Sequence, residues 1–149
     1  MTTSRETVAY STILDAPVDR VWAIMRDFND WPRWLSVLES SEIEGGLPGD
    51  AVGAIRVLRA NGDTPREQLL ALDDQHHIIK YALLEAAWPP ISDYVATIKL
   101  FPVTDGDRTY AEWTATYRVD PSAAAEVADA LVGMVYRGGL AGVRALLGS

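Results

Sequence analysis

The chain predicts an α+β domain in which a curved, seven-stranded antiparallel sheet wraps around one long C-terminal helix. Three observations carry that prediction. Short β-favouring runs recur between residues 8 and 119 with turn residues separating most of them. Two short helical pieces follow the first of these runs, and the segment after Pro121 changes to a helical apolar period.

Taken in order, residues 8–14 read as the first strand. Asp15 then stands where it can cap a helix whose Val18, Val21, Trp22 and Met25 supply an apolar stripe, ending near Asp27. In the next segment, FNDWPRW, Pro32 forbids a regular helix through its own position and favours a turn or a new short helix. Six further strands are expected over residues 37–44, 51–60, 66–72, 77–84, 94–103 and 110–119. The intervening GGLPGD, ANGD, LDDQ, AAWPPISD and TDGD are short enough for antiparallel hairpins, so the sheet is predicted to be a meander. Beyond Pro121, Val127, Leu131, Met134, Val135, Leu140, Val143 and Leu146 mark one apolar side of a long helix, with Ser122 available as its cap.

Composition narrows the function. With 149 residues, the chain is expected to form one domain over residues 1–149 with a sizeable core. A formal charge of -8 argues against a nucleic-acid groove or an anionic membrane surface as partner, because both reward clustered Lys and Arg. The absence of cysteine removes disulfides, thiolate chemistry and cysteine metal sites, and the polar start MTTSRETVAY lacks a signal-peptide core, so a cytoplasmic location is expected. No apolar run is read as reaching the roughly 18 residues of a membrane span, since glycine and proline interrupt the longest candidates. His76 and His77 are adjacent and would face opposite sides of a regular strand, while Asp73 and Asp74 read as turn residues. GGLPGD lacks the spacing and lysine of a phosphate cradle. Neither a metal nor a cofactor is expected.

Three charged residues interrupt otherwise β-favouring stretches: Arg56 in AVGAIRVL, Glu67 in REQLLALD and Glu112 in TYAEWTATYRV. Inside one sheet they would have to pair, shift their pKa values or meet a polar ligand, because unpaired buried charge costs several kcal/mol or more. Arg56 alternates with Ala54 and Leu58, and Glu67 with Leu69 and Ala71, which makes both credible inward residues. Periodicity places Glu112 in solvent, since Ala111, Trp113, Ala115 and Tyr117 form the more apolar face of its strand.

The order and spacing of DAPVDRVWAIMRDFNDWPRW, VGAIRVL, REQLLALDD, WPPISDY, YAEWTATY and YRGGLAGVRALL resemble the SRPBCC superfamily of START and birch-pollen-allergen domains. Within it the chain is most similar to bacterial polyketide cyclase/dehydrase-like proteins. The resemblance spans nearly the whole chain and implies a helix-grip fold with a hydrophobic cavity between the sheet and the long helix. Plant abscisic acid receptors are similar over the same strands, and that likeness implies cavity-facing positions for Glu67, Glu112 and Tyr94. It therefore reverses the periodicity reading of Glu112. Arg56 looks like the pocket arginine of aromatase/cyclases. GGLPG precedes the VGAIRVL strand, so the receptors' gate sequence has no counterpart in the matching loop, RANGD.

The expected partner is a small hydrophobic molecule. Its expected walls are Tyr81, Tyr94, Trp88, Trp34, Leu58, Leu83, Leu131, Val135 and Gly139. Trp31 and Trp34 read either as a cover on the cavity or as core; Gly138 and Gly139 read either as room for ligand or as close packing. In the enzymatic reading Glu67 or Glu112 moves protons in a cyclisation or dehydration, and Arg56, Tyr81 and Tyr94 stabilise an enolate-like oxygen. In the noncatalytic reading, that of a carrier or sensor, the same groups anchor a polar head; in a purely structural reading Arg56 bridges and neutralises the carboxylates. A protein-interaction module would instead use Trp113 and Tyr117 as exposed residues.

Overall fold

The computed structural model describes residues 2–148. Its strands are β1 (Ser4–Leu14), β2 (Ser40–Ile43), β3 (Ile55–Arg59), β4 (Arg66–Asp73), β5 (Ile78–Glu85), β6 (Ile91–Val103) and β7 (Arg108–Val119). They form one antiparallel sheet in the order β1-β7-β6-β5-β4-β3-β2. The last six strands are the predicted meander, β1 adds to its far edge, and the sheet is not closed. Helix α1 (Val18–Met25) and a 3-10 turn (Trp31–Arg33) are the two helical pieces after β1.

Alternation sets which face is inside. Along β7, Thr109, Ala111, Trp113, Ala115, Tyr117 and Val119 are buried, and the residues between them are half-exposed. Trp113 lies opposite Tyr10 on β1 and Ile98 on β6, so neighbouring strands carry the same inner face across the sheet. Trp113 and Tyr117 are fully buried, which removes the exposed surface that an interaction module would need.

Several boundaries differ from the sequence expectations. The third predicted strand begins only at Ile55, because Gly53 (φ +96°) turns the chain before it. The α1 N-cap is Pro17 and no side chain caps it; Asp15 lies two residues too early. At the second helix Asp120, not Ser122, caps: its Oδ1 accepts from the Ser122 backbone N–H at 2.9 Å and from its hydroxyl at 2.7 Å. His77 sits in the β4–β5 turn with a positive φ, outside any strand.

The C-terminal helix is one continuous stretch of 27 residues, Pro121–Leu147. Gly133, Gly138, Gly139 and Gly142 lie within it, contrary to the expectation that glycine would interrupt the run. By length and composition alone it is long and apolar enough to cross a membrane. Here, however, Val127, Leu131, Tyr136, Leu140 and Val143 are buried in the domain core. After α2 (Ala124–Ala130) its middle is a π-helical segment, Leu131–Arg137, followed by α3 (Gly138–Leu147). Bonding from i to i+5 brings Leu131 and Tyr136 to the same face. The α-helical period instead points to Met134 and Val135, and Met134 is exposed.

Close approach explains two of the glycines. A Cβ on Gly142 would stand 1.8 Å from the Trp34 carbonyl oxygen, and one on Gly139 would stand 3.0 Å from Trp113 and 3.1 Å from Trp34. A Cβ on Gly133 would meet nothing within 4 Å. Gly142→Ala is therefore expected to destabilise the fold by about 2 kcal/mol or more, while Gly133→Ala is neutral or stabilising by up to about 1 kcal/mol. Urea denaturation of the two variants checks the contrast.

Candidate functional site

A cavity of about 370 Å³ lies between the sheet and the C-terminal helix. Leu58, Leu83, Leu131 and Val135 give it apolar walls, and Trp31, Arg56, Glu67, Tyr81 and Tyr94 also line it. Its rim combines the β3–β4 loop, through Asn61 and Asp63, with Trp88 and Pro89 of the β5–β6 loop and Met134 of the helix. Trp88, Asn61 and Met134 are exposed, whereas Trp31, Arg56, Tyr81 and Tyr94 are buried, so the polar end is the inner one.

Arg56 and Glu67 are directly opposite one another on β3 and β4. Arg56 donates to Glu67 Oε1 from Nη2 at 2.6 Å and from Nε at 3.1 Å, and from Nη1 to the Phe28 carbonyl. Its guanidinium lies 3.7 Å from the Phe28 ring centroid and 3.9 Å from that of Trp31, a cation in the corner of two nearly perpendicular rings. Only 1% of the Arg56 side chain is exposed, against 13% for Glu67. Both bonds to the carboxylate fall on Oε1; Oε2 accepts none among the described residues.

A hydroxyl chain lies beside the pair. Trp113 Nε1 donates to Tyr81 Oη at 3.2 Å, Tyr81 and Tyr94 hydroxyls are 3.4 Å apart, and those of Tyr94 and Tyr136 are 2.6 Å apart. Burial raises the pKa of all three tyrosines; the next contribution is the Glu67 charge for Tyr81 and neighbouring tyrosines for the other two. All three are therefore neutral hydroxyls at physiological pH, able to donate and to accept.

At the rim, Asp63 fastens two loops together. Its Oδ2 accepts from the backbone N–H of Ala87 at 2.9 Å and of Trp88 at 3.2 Å, and Oδ1 from Thr64 at 2.8 Å. Desolvation pushes this carboxyl up, but the three N–H groups outweigh it and hold its pKa below the ordinary value.

The structure brings Arg56, Glu67, Tyr81 and Tyr94 to one end of the cavity but leaves Glu112 out. Glu112 stands on the outer face between Ser11 and Lys99, accepting from the Tyr110 hydroxyl at 3.2 Å. The register requires this, because turning Glu112 inward would expose Trp113 and Tyr117. The inward expectation is corrected. Trp34 and Gly139 are also core rather than wall: Trp34 packs on Trp31 and Trp113, and Gly139 makes room for the Trp34 and Trp113 rings. Leu58, Leu83, Leu131, Val135, Tyr81, Tyr94 and Trp88 do line the cavity. Sequence reasoning missed Phe28 and Tyr136. Nothing local marks Phe28, and the π-helical segment hides Tyr136 from an α-helical count. Among the described residues no group of three or more His, Cys, Asp or Glu is arranged to hold a metal ion.

A curved antiparallel sheet gripping one long helix, with an apolar cavity between them, defines a helix-grip domain, a ligand-binding fold. Residues 5–148 match the model of the family described as polyketide cyclase/dehydrase and lipid transport, and the chain belongs to that family. A protein of Nitrosospira multiformis is similar at 32% identity and a TM-score of 0.80 over 94% of each chain. A Thermobifida fusca protein shares the fold at 24% identity and a TM-score of 0.85, over 95% of this chain and 93% of its own. Norcoclaurine synthase of Thalictrum flavum, solved with dopamine and hydroxybenzaldehyde, shares it at 17% identity and a TM-score of 0.77, over 97% and 87%.

Two predictions test this geometry. Arg56→Ala leaves Glu67 unpaired and empties the space between two rings, so a loss of about 3–5 kcal/mol is expected; Glu112→Gln on the outer face should stay within about 0.5 kcal/mol. Denaturant unfolding measures both. The lowered Asp63 pKa means that its contribution to stability is present above the unfolded-state value and is lost as pH falls through the folded one. Hydrogen-exchange protection at Ala87 and Trp88 is thus expected to drop on acidification below about pH 4 and to be low at neutral pH in Asp63→Ala.

Proposed function

We propose that this chain binds a small, largely apolar, ring-containing or polyketide-like molecule in the cavity between sheet and helix. The observation that carries the reading is an apolar cavity of about 370 Å³ whose inner end gathers Arg56, Glu67, Tyr81 and Tyr94. Its volume falls within the range of small-molecule sites, about 300–1,000 Å³, and so does its pattern of apolar walls with few polar groups. Membership of the polyketide cyclase/dehydrase and lipid transport family supports the same ligand class.

The cavity also has the parts for a cyclisation by proton transfer. Glu67 Oε2 takes a proton from a carbon next to a carbonyl, and Tyr81 or Tyr94 donates a hydrogen bond to the enolate oxygen that results. The enolate carbon then attacks a second carbonyl of the same molecule. A C–C bond forms, the new alkoxide takes its proton from the Glu67 carboxylic acid, and the hydroxyl then leaves with a second proton from the attacking carbon, as water, to give the dehydrated ring. Arg56 is a positioning residue in this scheme. Its guanidinium lies against Phe28 and Trp31 and is held to Glu67 Oε1, so its part is to fix that carboxylate.

A noncatalytic carrier or sensor is the second reading, favoured by the same ion pair, which leaves both charges matched without any chemistry. The two readings differ at Glu67. As an acid/base group, Glu67→Gln abolishes turnover; as an anchor alone, it lowers affinity and there is no turnover to lose. Native mass spectrometry of protein incubated with cell extract is expected to reveal a bound small molecule, and Val135→Trp is expected to remove it while far-UV circular dichroism stays unchanged. Repeated absence of any bound or stabilising molecule would count against the cavity reading.

A further inference from the structure

We infer that Glu67 makes the cavity select a neutral hydroxyl, of phenol or enol type, and reject a carboxylate at the polar end of its ligand. The inference rests on the ligand-binding reading above and adds to it the chemistry of the head group. An arginine in a cavity ordinarily invites a carboxylate. Here that invitation is withdrawn. Arg56 is 1% exposed, three of its nitrogens already donate, and aromatic rings cover the guanidinium. Both residues line the cavity, but the more exposed of the two is Glu67, an acceptor that would repel a like charge.

The hydroxyl chain supplies the complementary donor. Tyr81, Tyr94 and Tyr136 carry one hydroxyl hydrogen each, but only two hydroxyl–hydroxyl contacts join them. Trp113 Nε1 can only donate, so it cannot take the third hydrogen. Either hydroxyl can donate in the Tyr94–Tyr136 contact; with Tyr136 as donor its fully buried hydrogen is paired by Tyr94 Oη, its only hydrogen-bond partner among the described residues. In that arrangement the surplus hydrogen belongs to Tyr94 or Tyr81, and both line the cavity. A single ligand hydroxyl can satisfy both sides: its oxygen accepts from the tyrosine, and its hydrogen goes to Glu67 Oε2. A carboxylate has no hydrogen to give, and an ether has lost its own.

Three ligands with one naphthalene body and different heads test this by calorimetry at neutral pH: 2-naphthol, 2-methoxynaphthalene and 2-naphthoate. The wild-type protein is expected to bind 2-naphthol about tenfold or more tightly than either of the others, because a site built to pair a hydroxyl discriminates strongly against analogues lacking it. Glu67→Gln leaves Arg56 without its counterion and should turn the preference toward 2-naphthoate, while Tyr81→Phe combined with Tyr94→Phe should bring 2-naphthol down to the level of 2-methoxynaphthalene. If a variant does not fold, the wild-type series still decides. Equal affinities for 2-naphthol and 2-methoxynaphthalene, or tighter binding of 2-naphthoate, overturn the head-group inference and leave the ligand-binding reading standing. Failure of all three to bind overturns both.

Discussion

Arg56 is the constraint around which the inner end of the cavity is organised. Its guanidinium meets the Phe28 carbonyl, the Phe28 and Trp31 rings and the Glu67 carboxylate, so one side chain joins the segment after α1 to β3 and β4. Tyr81 on β5 packs edge-on against Trp31 at 5.2 Å and carries the connection one strand further. Desolvating a guanidinium is expensive, and the structure offsets the cost with an ion pair, a backbone acceptor and two aromatic faces together. Removing any one partner leaves the charge less well matched in the same dry place.

The same arrangement shapes what the cavity can do. Because Arg56 is committed to protein partners, the polar character offered to a ligand comes from Glu67 and the tyrosine hydroxyls. A charged patch seen as sequence thus becomes a matched pair with one carboxylate oxygen left over. The helix completes the site from the other side. Its π-helical segment brings Tyr136 inward, 4.7 Å from Trp113 in a stacked arrangement, and links it to Tyr94. Gly139 and Gly142 let the following turn approach Trp34 closely, which places that indole in the core.

Much of the fold was legible in the chain because the relevant signals are local. Turn sequences such as ANGD and TDGD, alternation along residues 110–119 and the change of period after Pro121 each depend only on nearby residues. Arg56 and Glu67 were legible for the same reason: alternation marks both as inward, and the short loop between their strands brings them opposite one another. Glu112 shows the limit of resemblance. Periodicity had it on the outer face, where the structure has it; the likeness to receptor pockets turned it inward, against the apolar pattern of its own strand.

By itself, then, the sequence determined the architecture and the two charged residues that meet inside it, since period, turn chemistry and charge placement are properties of short stretches; the cavity between sheet and helix was what the family resemblance implied. The tertiary structure alone decided that Phe28 and Trp31 enclose Arg56, that Tyr136 joins the hydroxyl chain, and that Trp34 and Gly139 belong to the core. Those outcomes depend on distant segments meeting and on a shift from i+4 to i+5 hydrogen bonding within one helix. No local pattern records either.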